Sequence, residues 1–163
     1  MQKEIQKIES LVKRLFDEAD IRYCGEKYFF NNHIDKVKKI ALELTKNQKV
    51  DKQVILLSCI LHDIGYIYNP NNHTDPSYAK KIMKEFCIDD NTIKKVCYCI
   101  SNHEECTGNI IEARILQVAD KLSHLEIGFL KMMKKIKGDY FINWLNTKLE
   151  KLELCLKKNI EIL

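Results

Sequence analysis

LLSCILHDIGY, residues 56–66, is the stretch from which the chain is best read. Leu56, Leu57, Cys59, Ile60 and Leu61 make an apolar run suited to a core. The run ends on His62 and Asp63, side by side, followed by Ile64 and Gly65. Taking an imidazole and a carboxylate out of water is costly unless both find partners. Residues 51–64 read as one mostly apolar helix, with Gly65 suited to the left-handed position past its C-terminus. The question is what two polar side chains do at the end of a buried helix.

Outward from this point the apolar spacing is helical nearly everywhere. Ile5, Ile8, Val12, Leu15 and Phe16 form one stripe over residues 2–20, and Ile34, Val37, Ile40, Ala41 and Leu44 form another over 33–47. Residues 22–32 are irregular and aromatic, and 66–74 read as a loop. Asp75 and Pro76 are placed as N-cap and first residue of a helix to about Cys87. Asp89 or Asp90 caps the next helix, through His103. After a loop at 104–109, a long helix is expected to run to about Lys137, where Gly138 breaks it. The last helix carries Leu145, Leu149, Leu152, Leu156 and Ile160, a stripe for the chain's own core or for a homodimer partner. No strand, repeat or linker stands out. The expectation is an all-α fold, with residues 1–163 in a single compact helical bundle.

Composition narrows the function classes. Among 163 residues, 27 Lys and Arg face 23 Asp and Glu, a net charge of +4. That mild excess suits an anionic small molecule and does not argue for nucleic acid. Only Arg14, Arg22 and Arg114 are arginines, so bidentate guanidinium forks are scarce. Seven cysteines, an odd number without a secreted-framework spacing, suggest reduced thiols in the cytoplasm. The N-terminus lacks a signal-peptide apolar core, and no run is long enough to span a bilayer.

The five histidines, His33, His62, His73, His103 and His124, carry the chemical signal. At about 100° per residue, Val37, Ile40 and Leu44 all fall within about 40° of His33, so His33 points with the apolar stripe. Asp120 lines up with Ala113, Leu116 and Ile127. His103 follows Val96, Cys99 and Ile100 on an inner face, and His73 sits in a loop ahead of a helix. Mutual hydrogen bonding satisfies one such pair but is a strained account of six groups. A divalent cation accounts for them economically, since neutral imidazoles and carboxylates are suitable ligands for iron, manganese, cobalt, nickel or zinc. A helix end also leaves His62 and Asp63 freer to converge on one ion.

The series His33, His62-Asp63, His73, His103, Asp120 resembles the HD-domain superfamily of metal-dependent phosphohydrolases. NNHIDKVKKIALEL, ILLSCILHDIG, HTDPSYAKKIMKEF, ISNHEE and ILQVADKLSH look like its successive helices, over about residues 22–130. The resemblance implies that His33, His62, Asp63 and Asp120 hold a first metal. His73 and His103 match the extra histidines of dinuclear members, in which Asp63 bridges two ions and orients the attacking hydroxide. Asp63 and His62 are then the catalytic pair, one or two divalent transition metal ions the cofactor, and a phosphorylated small molecule, expected to be a nucleotide, the substrate. ADKLS is also similar to a segment of the bacterial HD hydrolases of diadenosine tetraphosphate. Many members read HDIGK; here Tyr66 replaces the lysine, so that lysine's role does not carry over.

Other residues keep two readings at this stage. Tyr66 is a candidate hydrogen-bond donor to substrate, and Arg22 a candidate phosphate partner. His124, one turn after Asp120, lines the pocket, orients a ligand or is a partly buried histidine with a local partner. Lys121 points about 100° away from Asp120 and is either a phosphate contact or a surface lysine. Cys97, Cys99, His103 and Cys106 form a Cys/His-dense segment that offers a thiolate zinc site without paired C-x-x-C knuckles. Two rival functions stand beside hydrolysis: an HD-type diiron oxygenase, for which Tyr23 and Glu26 ahead of His33 are the short match, and a metal-binding regulatory domain without turnover.

Overall fold

Asp51 opens the helix at the centre of the molecule: its carboxylate accepts from the backbone N–H groups of Gln53 and Val54, satisfying orphan donors of the first turn. That helix, α3 (Lys52–Leu61), is buried at Val54, Ile55, Leu57, Ser58, Cys59, Ile60 and Leu61. A helix apolar on nearly all sides needs neighbours all round, and the others supply them. The computed structural model describes residues 2–19, 30–105 and 108–159. Among these, α1 (Gln2–Glu18), α2 (Asp35–Leu44), α6 (Asp90–Asn102) and α7 (Ile111–Ser123) all pack on α3. Between them lie α4 (Gly65–Tyr68) and α5 (Ser77–Glu85), and the chain continues into α8 (Ile127–Lys137) and α9 (Phe141–Asn159). No strand occurs among the described residues, so the fold is all-α. None of the described helices is long and apolar enough to cross a membrane.

Most elements follow the apolar spacing; four do not. First, Gly65 has no positive φ and opens α4 instead of closing α3. A Cβ there would run into the His73 carbonyl oxygen and lie 2.6 Å from its Cα, so the glycine serves a close approach of two backbone segments. Second, residues 66–74 are not a plain loop, since α4 and a 3₁₀ turn at Pro70–Asn72 occupy most of them. Third, the long helix expected to reach Lys137 breaks after Ser123. Leu125 and Glu126 donate only three residues back, to Leu122 and Ser123. The Glu126 carboxylate then accepts from Gly128 N–H as a new N-cap and pairs with Lys36 of α2. Fourth, α9 turns Leu152, Cys155 and Asn159 inward, leaving Leu149 exposed and Leu145 and Leu156 half-buried. Ile160 lies outside the described residues. Asn159 earns its inward position by accepting from Arg114 Nε at 2.7 Å and donating to the Cys155 carbonyl at 2.8 Å.

Asp89 caps α6 as expected, accepting from Thr92 N–H at 2.9 Å. Asp75 accepts from Ser77 N–H at 3.0 Å, one residue ahead of its expected place relative to α5.

Burial separates the thiols. Cys59 and Cys99 are inside the core; burial pushes the Cys59 thiol far above its ordinary range and Cys99 up to about 12. Both stay protonated at neutral pH, and the thiolate is the reactive form. Cys87 is exposed. Among the described cysteines, maleimide labelling with peptide mass mapping at pH 7 is expected to modify Cys87 first and to reach Cys59 and Cys99 only after unfolding. Early labelling of Cys59 would contradict this packing.

Candidate metal centre

His62 and His103 occupy equivalent places, each the C-cap residue of a helix, α3 and α6. Each ring folds back on its own last turn. His62 Nδ1 donates to the Cys59 carbonyl at 2.9 Å and His103 Nδ1 to the Ile100 carbonyl at 2.6 Å. A carbonyl oxygen only accepts, so the proton is on Nδ1 and Nε2 presents a lone pair inward. His33 sits in a short π turn, Phe30–Ile34, ahead of α2. The Ser123 hydroxyl gives its proton to the Asp120 carbonyl at 2.7 Å. Its oxygen therefore accepts from His33 Nδ1, 3.0 Å away, and His33 Nε2 also faces inward. In this way two helix ends and one turn aim their nitrogens at one place.

The carboxylates meet them there. His33 Nε2 is 3.1 Å from His62 Nε2, 3.0 Å from Asp63 Oδ2 and 3.3 Å from Asp120 Oδ1. Asp63 Oδ2 is 3.3 Å from His62 Nε2, while its other oxygen, Oδ1, lies 3.8 Å from His103 Nε2. The side chains of His33, His62, Asp63 and Asp120 are at most 6% exposed. His33, His62 and Asp63 are close enough to hold one ion, as are Asp63, His73 and His103, and Asp63 belongs to both groups. His33, Asp120 and His124 form a third such group.

This donor set fits a divalent cation. Nitrogens of two imidazoles and oxygens of two carboxylates converge within van der Waals distance, and such groups are held together only where positive charge, a proton or a metal cation, lies between them. The demand for positive charge shows in the titration. Burial opposes charge on His33, yet hydrogen bonds to Asp120 and Asp63 outweigh it and raise its pKa to about 9. Burial likewise opposes ionisation of Asp63 and Asp120, but His62 and His33 beside the first, and Lys121 and His33 beside the second, hold both well below the usual carboxylate range. His103 is lowered by burial and by His62.

The remaining candidates fall as follows. Lys121 is no surface lysine: it is 7% exposed, donates to Asp120 Oδ2 at 2.9 Å and reaches the His103 carbonyl at 3.4 Å. The helix-wheel angle missed this because a four-carbon stem bends back across one turn. His124 is largely buried, with its ring centroid 5.3 Å from that of His33; burial lowers its pKa to about 3. Tyr66 stacks on His73 at 4.2 Å, so its ring walls the His73 side of the centre. Arg22, Tyr23, Glu26 and Cys106 lie outside the described residues. Cys97 and Cys99 enter none of the groups able to hold an ion, and the thiolate reading has no support from them.

Three participants escaped sequence reasoning. Ser123 orients His33. Glu104, next after His103, lies 3.3 Å from His73 Nε2. Lys148 of α9 is half-buried over Trp144, 6.0 Å from its ring, and its charge acts on Asp120, Lys121 and Glu104. Trp144 packs on Phe129, Phe129 on His124, and His124 on His33, so an aromatic path connects α9 to the centre. A lysine four residues after a tryptophan is the one local hint of it. Partners that orient metal-binding histidines typically contribute about 10–100-fold in affinity. Ser123→Ala is therefore expected to weaken the first ion by roughly that factor without loss of helix, as read by calorimetric titration and circular dichroism. Unchanged affinity would remove Ser123 from the centre.

Fold and centre together define a class: a helical protein with a buried His/Asp cluster able to hold metal. The HD domain family model matches residues 31–125, more than half of the chain, and the chain belongs to the HD-domain family. The match begins two residues before His33 and ends one residue after His124. No curated protein and no solved structure gives a match.

Proposed function

We propose that the protein is a metal-dependent phosphohydrolase that cleaves a phosphoester or phosphoanhydride bond, with a nucleotide or dinucleotide as substrate. One observation carries the reading: Asp63 turns Oδ2 to His33 and His62 and Oδ1 toward His103, the arrangement of a carboxylate shared between two cation positions. His33, His62, Asp63 and Asp120 would hold the first ion, and Asp63, His73 and His103 the second. Divalent ions in such a pair lower the pKa of water towards neutrality and offset charge on phosphoryl oxygens.

The chain's own residues prepare for this. The backbone acceptors behind His62 and His103, and Ser123 behind His33, hold each Nε2 in place before any ligand arrives, so no reorganisation is needed. Lys121, bound to Asp120 Oδ2, leaves Oδ1 turned to His33; it acts through Asp120 and does not meet substrate. On this reading the neutralising role of the lysine that Tyr66 replaces would fall to Lys148 of α9, half-buried over Trp144, whose charge acts on Asp120 and Glu104.

The test is direct. Metal-free protein is reloaded with manganese or cobalt under nitrogen and incubated with nucleoside phosphates and dinucleoside polyphosphates. Release of phosphate or of a mononucleotide without oxygen is expected. Metal retained with no turnover across the panel would favour a regulatory domain, and turnover that requires iron and oxygen would favour the oxygenase; either result overturns the proposal.

A further inference from the structure

Glu104 follows the C-cap histidine of α6 directly, and its carboxylate turns back over the helix end. Oε1 lies 3.3 Å from His73 Nε2 and 4.0 Å from His103 Nε2. His103 Nδ1 holds the proton, bound to the Ile100 carbonyl, so Nε2 cannot donate to Glu104 or to Asp63 Oδ1 at 3.8 Å. Asp63 Oδ1 and Glu104 Oε1 thus stand around His103 Nε2, and Glu104 Oε1 also beside His73 Nε2, with spacings of 3.3–4.0 Å. Ligands about 2.0–2.2 Å from one ion lie roughly 3.0–3.6 Å from one another, so these spacings need only a small contraction.

Charge argues the same way. Without Glu104, the second position has two neutral imidazoles and an Asp63 carboxylate shared with the first, with the Lys121 ammonium near His103. A divalent ion there would face another cation with no carboxylate of its own, and hard divalent ions favour anionic oxygen ligands. Glu104 supplies the missing charge.

On the metal-centre reading of the preceding section, we propose that Glu104 is a ligand of the second cation position, joining Asp63, His73 and His103. The two positions then differ in kind. The side chains of the first are sealed, at most 6% exposed, whereas His73 is 20% and Glu104 41% exposed. A second ion would be held on the open side, and Glu104, the most exposed of its ligands, would be the one freest to move.

The experiment is a cobalt(II) titration of the metal-free full-length protein, followed by calorimetry, visible absorbance and elemental analysis. Wild type is expected to bind two ions. Glu104→Gln is expected to retain the first unchanged and to weaken the second by at least about tenfold, with Glu104→Asp recovering part of the loss. Circular dichroism checks folding, which a substitution at this exposed side chain leaves intact. A second ion bound equally well by Glu104→Gln would overturn the assignment of Glu104 while leaving the phosphohydrolase reading standing. A single ion in wild type, indifferent to Glu104→Gln, would overturn it likewise. No ion in wild type would remove both readings together.

Discussion

On the proposed phosphohydrolase reading, Asp63→Asn is expected to abolish hydrolysis and to weaken metal at both proposed positions by more than about 100-fold, since a shared ligand should exceed the upper range seen for residues that merely orient ligands. The substitution conserves shape and removes one negative charge from a site whose other close donors are imidazoles, apart from Asp120 and, at the open side, Glu104. The neutral amide loses the attraction that offsets the burial of an ion. The effect is also thermal. Metal at 100 times its dissociation constant stabilises a folded protein by about 2.7 kcal/mol, worth roughly 5–10 °C in Tm for a chain of this length. Wild type should show that rise on adding cobalt and Asp63→Asn should not, while both keep their helical circular dichroism. A metal-dependent rise that survives in Asp63→Asn would show that the ions bind elsewhere.

Gly65 should tolerate alanine least among the described glycines, since its Cβ alone would meet backbone atoms closer than 3.0 Å. Helix propensity alone favours alanine by up to about 1 kcal/mol, since Gly65 opens α4. Sterics oppose it: the new Cβ would lie 2.6 Å from His73 Cα and 2.8 Å from its carbonyl carbon. These are backbone atoms, which cannot rotate aside as a flexible side chain would. Overpacking of this kind costs about 1–3 kcal/mol, so sterics win and Tm should fall by up to roughly 10 °C. The relief is displacement of the His73 segment, which carries a proposed ligand of the second position only. Calorimetric titration should therefore show the first ion kept and the second weakened. A rise in Tm would mean that propensity decides and that the close approach is unimportant.

Much of this architecture was legible because helix formation and burial are local, periodic properties. The stripe Ile5, Ile8, Val12, Phe16 is buried as its spacing requires. Asp89 caps α6, and the wheel angles that turned His33 and Asp120 inward hold in three dimensions. The exceptions share a cause. The break after Ser123 has no proline or glycine at the break itself; it depends on Glu126 capping Gly128 while pairing with Lys36, 90 residues distant. Gly65 looked like a helix terminator because its real constraint, the His73 backbone, is invisible without the fold. Glu104 carries no periodic signal, and Lys121 appeared to face away from the ligand it holds.

The amino-acid order by itself determined the helices, their buried faces, and the identity of the imidazoles and carboxylates drawn inside, because each follows from a period of 3.6 residues and the cost of burying polar groups. Only the tertiary structure decided which nitrogen of each histidine faces the centre, which oxygen of Asp63 serves which cluster, and that Ser123, Glu104 and Lys148 attend them. Those choices depend on hydrogen bonds and charges acting over a few ångströms between segments distant in sequence, and such distances exist only once the helices have packed.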